Sequence, residues 1–150
     1  MIIKNSENIN ITKRSFALLE NISKHRNAHK LISEKGGVII GKRIQSRTLN
    51  ITGRHNIQDD YTSFINIPNL SNNPSLYVSN DNLIVWYTEK LLRKNKILAY
   101  YHFHLSNNPE PSPSDIKSMK MNAQKLKRDL LMFIFADNEN NSVTNFQYRA

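Results

Sequence analysis

The sequence contains no cysteine, few glycines, a single tryptophan and no long hydrophobic run. The lack of cysteine excludes disulfide bonds, cysteine-bound structural zinc and a thiol nucleophile, and it fits a reducing compartment. The longest apolar run, 130–136, is far shorter than the roughly 20 residues that a membrane-spanning helix requires. The N-terminus also lacks a hydrophobic segment of signal-peptide length. We therefore expect a soluble, cytoplasmic protein without a membrane partner.

The chain has 150 residues and a formal net charge of +9. This length predicts a single domain over 1–150 with its own hydrophobic core. Residues 1–50 hold ten Lys and Arg residues against three acidic ones, so most of the positive excess lies there. Such a region can attract nucleic acid or an acidic protein, although a solvated basic face is the simpler interpretation. No zinc-finger, RNP-like or helix-turn-helix pattern accompanies it, so we do not expect nucleic acid as the partner.

Hydrophobic periodicity and turn signals predict both helices and strands. Thr12 is a suitable N-cap for a helix over about 13–28. The sequence further predicts helices at 82–95 and 114–128, strands at 38–40, 48–52, 97–104, 130–135 and 143–148, and an irregular segment at 56–73. In the last helix, Ile116, Met119 and Ala123 are predicted to face inward. This order indicates a mixed β-sheet flanked by helices, an α/β or α+β fold.

One histidine pair lies at helical spacing. His25 and His29 are four residues apart near the end of the first predicted helix, a spacing that can bind a metal. No Glu follows the first histidine, so the metalloprotease helix motif is absent. Polar and cationic residues are common at the C-terminus of a helix. We therefore do not assign this pair to a metal.

A second histidine pair, His102 and His104, lies at the end of the apolar stretch 97–104. Residues i and i+2 of a strand point to the same face, so the two imidazoles can aim at one point. The loop that follows leads to Asp115 in the first turn of the next predicted helix. Two imidazoles, a carboxylate and an open fourth position make up a ligand set of catalytic zinc. Two other interpretations stay open at this point: hydrogen-bonded histidines within a sheet, and a helix-capping box in Ser112-x-x-Asp115.

Three separate pieces of sequence combine into one known signature. They are a Glu before paired glycines, a His-x-His pair, and Ser-x-x-Asp with seven residues between it and the second His: Glu34 with Gly36-Gly37, His102 with His104, and Ser112 with Asp115. This pattern resembles the JAB/MPN/Mov34 family of zinc metalloproteases, whose JAMM signature it matches position by position. The resemblance covers roughly residues 10–136. It implies a single JAB/MPN domain with a cytidine-deaminase-like layout.

The resemblance also implies a role for each residue of the signature. His102, His104 and Asp115 would bind one Zn²⁺ per chain. Glu34 would take a proton from the attacking water and pass it to the leaving amine, and Ser112 would hydrogen-bond the developing oxyanion. These residue types suit such chemistry, because zinc polarises a carbonyl, a carboxylate transfers protons and a hydroxyl stabilises an oxyanion.

The details of the signature resemble the bacterial branch of this family. Leu105 stands where family members often have Pro, and the His-Asn-His-Pro core of the RadC-like proteins is absent. This favours a stand-alone, deubiquitinase-like metallopeptidase or isopeptidase. Its substrate would be the C-terminal tail of a ubiquitin-like protein, with E1/E2-like partners in an anti-phage conjugation system. The segment 56–79 is the candidate for one wall of the groove that binds the tail.

Other functions are compatible with the same fold. The chain could be a non-catalytic module that binds nucleic acid or a protein, although many such modules have lost zinc ligands that this sequence retains. A phage-tail or cell-wall peptidase would share the chemistry and differ in substrate. The oligomeric state is left open by the sequence.

Overall fold

The computed structural model describes residues 3–5, 10–28, 31, 33–44, 48–51, 64–78, 82, 83, 86, 97–127, 129–136 and 143–148. The helices that it bounds are α1 (Lys13–Ala28) and α2 (Pro113–Leu126). The strands are β1 (Ile3–Asn5), β2 (Asn10–Ile11), β3 (Lys35–Ile44), β4 (Thr48–Ile51), β5 (Phe64–Ile67), β6 (Ile97–Phe103), β7 (Leu130–Phe135) and β8 (Val143–Tyr148).

The strands form one mixed sheet in the order β1-β8-β7-β6-β3-β4-β2, with β5 paired to β3 off this path. Strand β3 is antiparallel to β4, β5 and β6. Strand β7 is parallel to β6 and antiparallel to β8. The short strands β1 and β2 extend the sheet in parallel pairings with β8 and β4. The predicted α/β fold with a mixed sheet and flanking helices is confirmed.

The sheet buries a different set of side chains on each face. Alternate residues of β6 point to opposite faces, so Ala99, Tyr101 and Phe103 lie on the face that α1 covers. Tyr100 lies on the face that α2 covers, together with Met119 of that helix. His102 has the same parity as Tyr100. The strand therefore directs His102 toward α2.

Both helices begin at a side-chain cap. The Oγ1 of Thr12 accepts a hydrogen bond from the backbone N–H of Ser15 at 3.3 Å, as the sequence predicts for α1. In α2, Met119 and Ala123 are buried as predicted. The prediction for Ile116 is wrong, because this side chain is 43% exposed. The buried stripe of α2 runs through Asp115, Met119 and Ala123 at intervals of four residues, and Ile116 is rotated about 100° away from it.

Two further predictions need correction or qualification. The segment 56–73 was predicted to be irregular, but Phe64–Ile67 forms β5 against β3. Turn-forming residues on both sides of this short strand hide its local sequence signal. Its hydrogen-bond partners come from the first half of β3, whereas β4 pairs with the second half. Of the predicted helix 82–95, residues 82, 83 and 86 are described and are helical, and the other residues lie outside the described part. Within the described ranges, no helix is long and apolar enough to cross a bilayer.

Candidate metal centre

His102 and His104 lie close together at the end of β6. His102 lies within the strand, and His104 follows its last residue. The backbone N–H of His104 donates to the carbonyl of Phe135 at 2.9 Å, so the pairing with β7 continues to this residue. The two rings are 4.7 Å apart and nearly perpendicular. Both side chains are buried, which matches the predicted common direction of the pair.

Asp115 joins both histidines from the first turn of α2. Its Oδ1 is 3.0 Å from Nδ1 of His102, and its Oδ2 is 3.0 Å from Nε2 of His104. Oδ2 also accepts a hydrogen bond from the N–H of Ser112 at 2.9 Å. In return, the N–H of Asp115 donates to Oγ of Ser112 at 3.1 Å. The capping box and the convergence on the histidines, considered as alternatives for Ser112-x-x-Asp115, are therefore both present.

Glu34 reaches the same cluster from the start of β3. The antiparallel register pairs Lys35 with Phe103 and Gly36 with His102, so Glu34 lies beside the end of β6. Its Oε1 is 3.3 Å from Nε2 of His102, and the residue is buried. The remote acid that the signature contains thus meets the histidines in space.

Gly36 has a steric role next to this cluster. A Cβ at this position would lie 2.7 Å from ring atoms of Tyr77 and 2.9 Å from the carbonyl oxygen of Tyr101. The missing side chain lets the Tyr77 ring approach His102, and the two ring centres are 4.9 Å apart. The hydroxyl of Tyr77 donates to the carbonyl of Ile67 at 2.7 Å, and burial raises its pKa. Sequence reasoning missed Tyr77, because a lone tyrosine after a loop carries no signal of this contact.

The electrostatics of the cluster favour a cation. Burial by itself lowers the pKa of His102, but the carboxylates of Asp115 and Glu34 outweigh it and raise this pKa to about 9. Burial also raises the pKa of Asp115, yet hydrogen bonds from His102 and His104 and from the N–H of Ser112 hold it well below its usual range. The carboxylate of Asp115 therefore stays ionised between the two imidazoles, a setting that suits a bound cation.

The nitrogen atoms are arranged to hold a metal ion. One ligand atom from each of Glu34, His102 and His104 lies within 4.8 Å of the others. The Nδ1 of His104 is 2.9 Å from the carbonyl oxygen of Asn108, which can only accept, so Nδ1 carries a proton and Nε2 is the nitrogen that faces the cluster, 3.0 Å from Oδ2 of Asp115. The buried Nε2 of His102 has no hydrogen-bond partner among the described residues, and Oε1 of Glu34 lies 3.3 Å from it. These residues fit a metal ion.

A cleft of about 340 Å³ opens from the cluster to the surface. Glu34, His104, Asp115 and Ser112 line its inner part. The loop after β6 and residues 75–77 form its sides, so part of the predicted wall 56–79 does border the cleft. Glu34 and Ser112 therefore line the same cleft.

The sequence also contains the histidine pair at helical spacing, His25 and His29. His29 and the side chain of His25 lie outside the described residues.

The family described as prokaryotic homologs of the JAB domain matches residues 16–149. The solution structure of a protein from Desulfitobacterium hafniense is similar with a TM-score of 0.53 at 17% identity, covering 94% of this chain and 83% of that one. At this identity the likeness concerns the fold alone. No curated protein matches the sequence.

Proposed function

The chain belongs to the family of prokaryotic homologs of the JAB domain, and we propose that it is a zinc-dependent peptidase or isopeptidase. Its substrate would be the amide bond that follows the C-terminal tail of a ubiquitin-like protein. The observation that carries this proposal is the convergence of Glu34 on His102, His104 and Asp115 at the inner end of an open cleft. These four residues come from three separate elements of the fold.

Zinc is the metal that this set of donors suits best. Two imidazoles and one carboxylate with an open fourth position are typical of catalytic zinc, and the chain has no thiolate that would favour a closed structural site. His102, His104 and Asp115 would hold the ion. When bound, zinc would polarise the scissile carbonyl and lower the pKa of water.

The residues of the chain then have distinct tasks. The carboxylate of Glu34 accepts a proton from the attacking water, whose oxygen bonds to the carbonyl carbon. As the carbon–nitrogen bond breaks, Glu34 delivers that proton to the leaving amine nitrogen. The Oγ of Ser112 accepts from the N–H of Asp115, so its own O–H can donate to the carbonyl oxygen as negative charge develops.

The shape of the cleft supports a peptide tail as substrate. One side is the loop after β6, the other is residues 75–77, and the cleft is open to solvent. An extended tail can enter such a cleft end first, whereas a folded domain cannot. The E1/E2-like partners and the anti-phage conjugation system predicted above belong to this proposal.

A non-catalytic binding module is the alternative that one observation favours. The net charge of +9 would attract nucleic acid or an acidic protein. The two functions differ in their dependence on salt. Binding of DNA that weakens steeply with salt, without cleavage of any fusion, would support the module.

The first test is metal content. Purified protein should contain about one zinc per chain by plasma mass spectrometry, as expected for a three-residue site with one open position. The His104→Ala variant should contain none. The proposal would be contradicted if the wild-type protein, purified in the presence of zinc, contained no zinc afterwards.

The second test is cleavage of a bacterial ubiquitin-like protein fused through its tail to a fluorescent protein. Glu34→Gln should retain zinc and lower kcat by about 10²–10⁴-fold, because the proton transfer is lost. Glu110→Gln is the matched control, since Glu110 is an exposed acid at the side of the same cleft. Equal losses in both variants, or full activity of Glu34→Gln, would refute the role of Glu34.

A further inference from the structure

We propose that Asn69 is a positioning residue that holds Glu34 and Tyr77 in place at the metal centre. Asn69 follows β5 and stands at the start of a segment, 69–78, that runs past Glu34 and forms one side of the cleft. The inference deepens the proposed function and rests on it, because it concerns the presentation of the Glu34 carboxylate.

The side-chain amide of Asn69 makes four hydrogen bonds. Its Nδ2 donates to the carbonyl of Glu34 at 3.1 Å and to the carbonyl of Leu76 at 2.9 Å. Its Oδ1 accepts from the N–H of Ser71 at 2.9 Å and from the N–H of Val78 at 3.0 Å. Both hydrogens and both lone pairs of the amide are therefore used.

This pattern requires an amide at position 69. The two carbonyl oxygens can only accept and the two backbone N–H groups can only donate, so the orientation of the amide is fixed by its partners. A carboxylate would offer no donor and would face two carbonyl oxygens. A shorter or apolar side chain would leave four backbone groups without their partner.

The first consequence concerns Glu34. This residue precedes β3, so the sheet does not fix its backbone. Its carbonyl accepts from Asn69, and its N–H donates to the carbonyl of Pro74 at 2.9 Å. Both backbone groups of Glu34 thus bind the segment 69–78. The direction of its side chain toward His102 depends on this attachment.

The second consequence concerns Tyr77. Asn69 binds the carbonyl of Leu76 and the N–H of Val78, the residues immediately before and after Tyr77. The Tyr77 ring packs against His102 and lines the cleft. One side chain therefore links the general base, the ring next to a metal ligand and one side of the cleft.

Two variants and one matched control test this role. Asn69→Asp retains the acceptors for Ser71 and Val78 but removes the donors to Glu34 and Leu76, and Asn69→Ala removes all four bonds. Asn73→Ala is the control, because Asn73 lies in the same segment and its Oδ1 accepts from the N–H of Ser75 at 3.0 Å. It has no described bond to Glu34.

The kinetic readout is kcat for the fusion substrate, measured with zinc content. We expect both Asn69 variants to retain zinc and to lose on the order of 100-fold in kcat, because a general base displaced by about 1 Å loses its alignment. KM should change much less. Asn73→Ala should stay within about twofold of the wild type. Losses of equal size in Asn69→Ala and Asn73→Ala would overturn the proposal.

Hydrogen exchange of the Glu34 amide gives a readout that does not require activity. In both Asn69 variants this amide should exchange faster, because its partner carbonyl on Pro74 is released with the segment, and in Asn73→Ala it should not. If the wild type holds no zinc and cleaves nothing, the proposed function fails while exchange still decides the role of Asn69. Unchanged protection of Glu34 in Asn69→Asp would overturn that role.

Discussion

The two faces of the central sheet differ in what the same strand contributes to each. On the α1 face, β6 places Ala99, Tyr101 and Phe103 in a core that is apolar and rich in aromatic rings. On the α2 face, the next residues along the strand are Tyr100 and His102. A shift of one residue in the strand would exchange the contents of the two faces. Alternation in β6 therefore keeps the imidazole of His102 out of the α1-face core.

The α2 face buries carboxylate and imidazole groups, and their desolvation is unfavourable for folding. Buried carboxylates and imidazoles lose hydration, and this loss is offset only by close pairing such as that of Asp115 with His102 and His104. Glu34 immediately precedes β3, and Asp115 lies in the first turn of α2. Both residues therefore lie near the end of β6, where the start of β3 pairs with it. The α2 face therefore combines a hydrophobic core with buried ionisable groups, whereas the core of the α1 face is built from apolar and aromatic side chains.

The largest expected effect is that of a large-to-small substitution on the α1 face. Phe133 is fully buried there, so Phe133→Ala should lower the free energy of unfolding by about 3–5 kcal/mol through lost burial and the cavity that remains. Phe16→Ala is the control, because this side chain is 38% exposed and its loss should cost less than about 1 kcal/mol. Urea unfolding followed by circular dichroism measures both. Equal losses would show that the buried Phe133 ring contributes no more to stability than a partly exposed ring.

Much of this division could be predicted from the sequence. The alternation in 97–104 predicted β6 and the shared direction of His102 and His104, and the apolar run at 130–135 predicted β7. The four-residue strand β5 was missed, because its pairing depends on the edge of β3 and not on local composition. Ile116 is predicted to lie in the core because it is apolar. In the structure the buried stripe of α2 begins one residue earlier, at the charged Asp115, so Ile116 faces away from the core.

The sequence predicts the signature residues of the site but not the residues that support them. The ligand candidates could be named, since their types and spacings form a signature, and the structure brings them together; their individual roles stay predictions, as does the single domain over 1–150. The contacts of Tyr77 and Asn69 could not be predicted. A tyrosine and an asparagine in a loop acquire such roles only through the path of the chain around Glu34.

A smaller effect on the α2 face is expected from removal of the metal. Zinc that binds the folded state alone should stabilise it by about 2.7 kcal/mol at a free concentration 100 times Kd. Thermal unfolding with added zinc and with a chelator measures this difference. His104→Ala should unfold at the same temperature in both conditions, because a ligand is missing. A wild-type protein whose unfolding temperature is insensitive to the chelator would show that this face holds no metal.

The smallest effects on stability are expected from the two helix caps, one on each face of the sheet. Thr12 caps α1 and Ser112 caps α2, and replacing either with Ala should lower the free energy of unfolding by about 1 kcal/mol. Only Ser112→Ala should also lower kcat, by on the order of 100-fold, because of the two capping residues Ser112 alone lines the cleft and can donate to a developing oxyanion. Ser114→Ala, at an exposed position in the first turn of α2, should change neither quantity appreciably. If Thr12→Ala and Ser112→Ala had the same kcat, Ser112 would be a helix cap without a part in catalysis, and the oxyanion would require another donor.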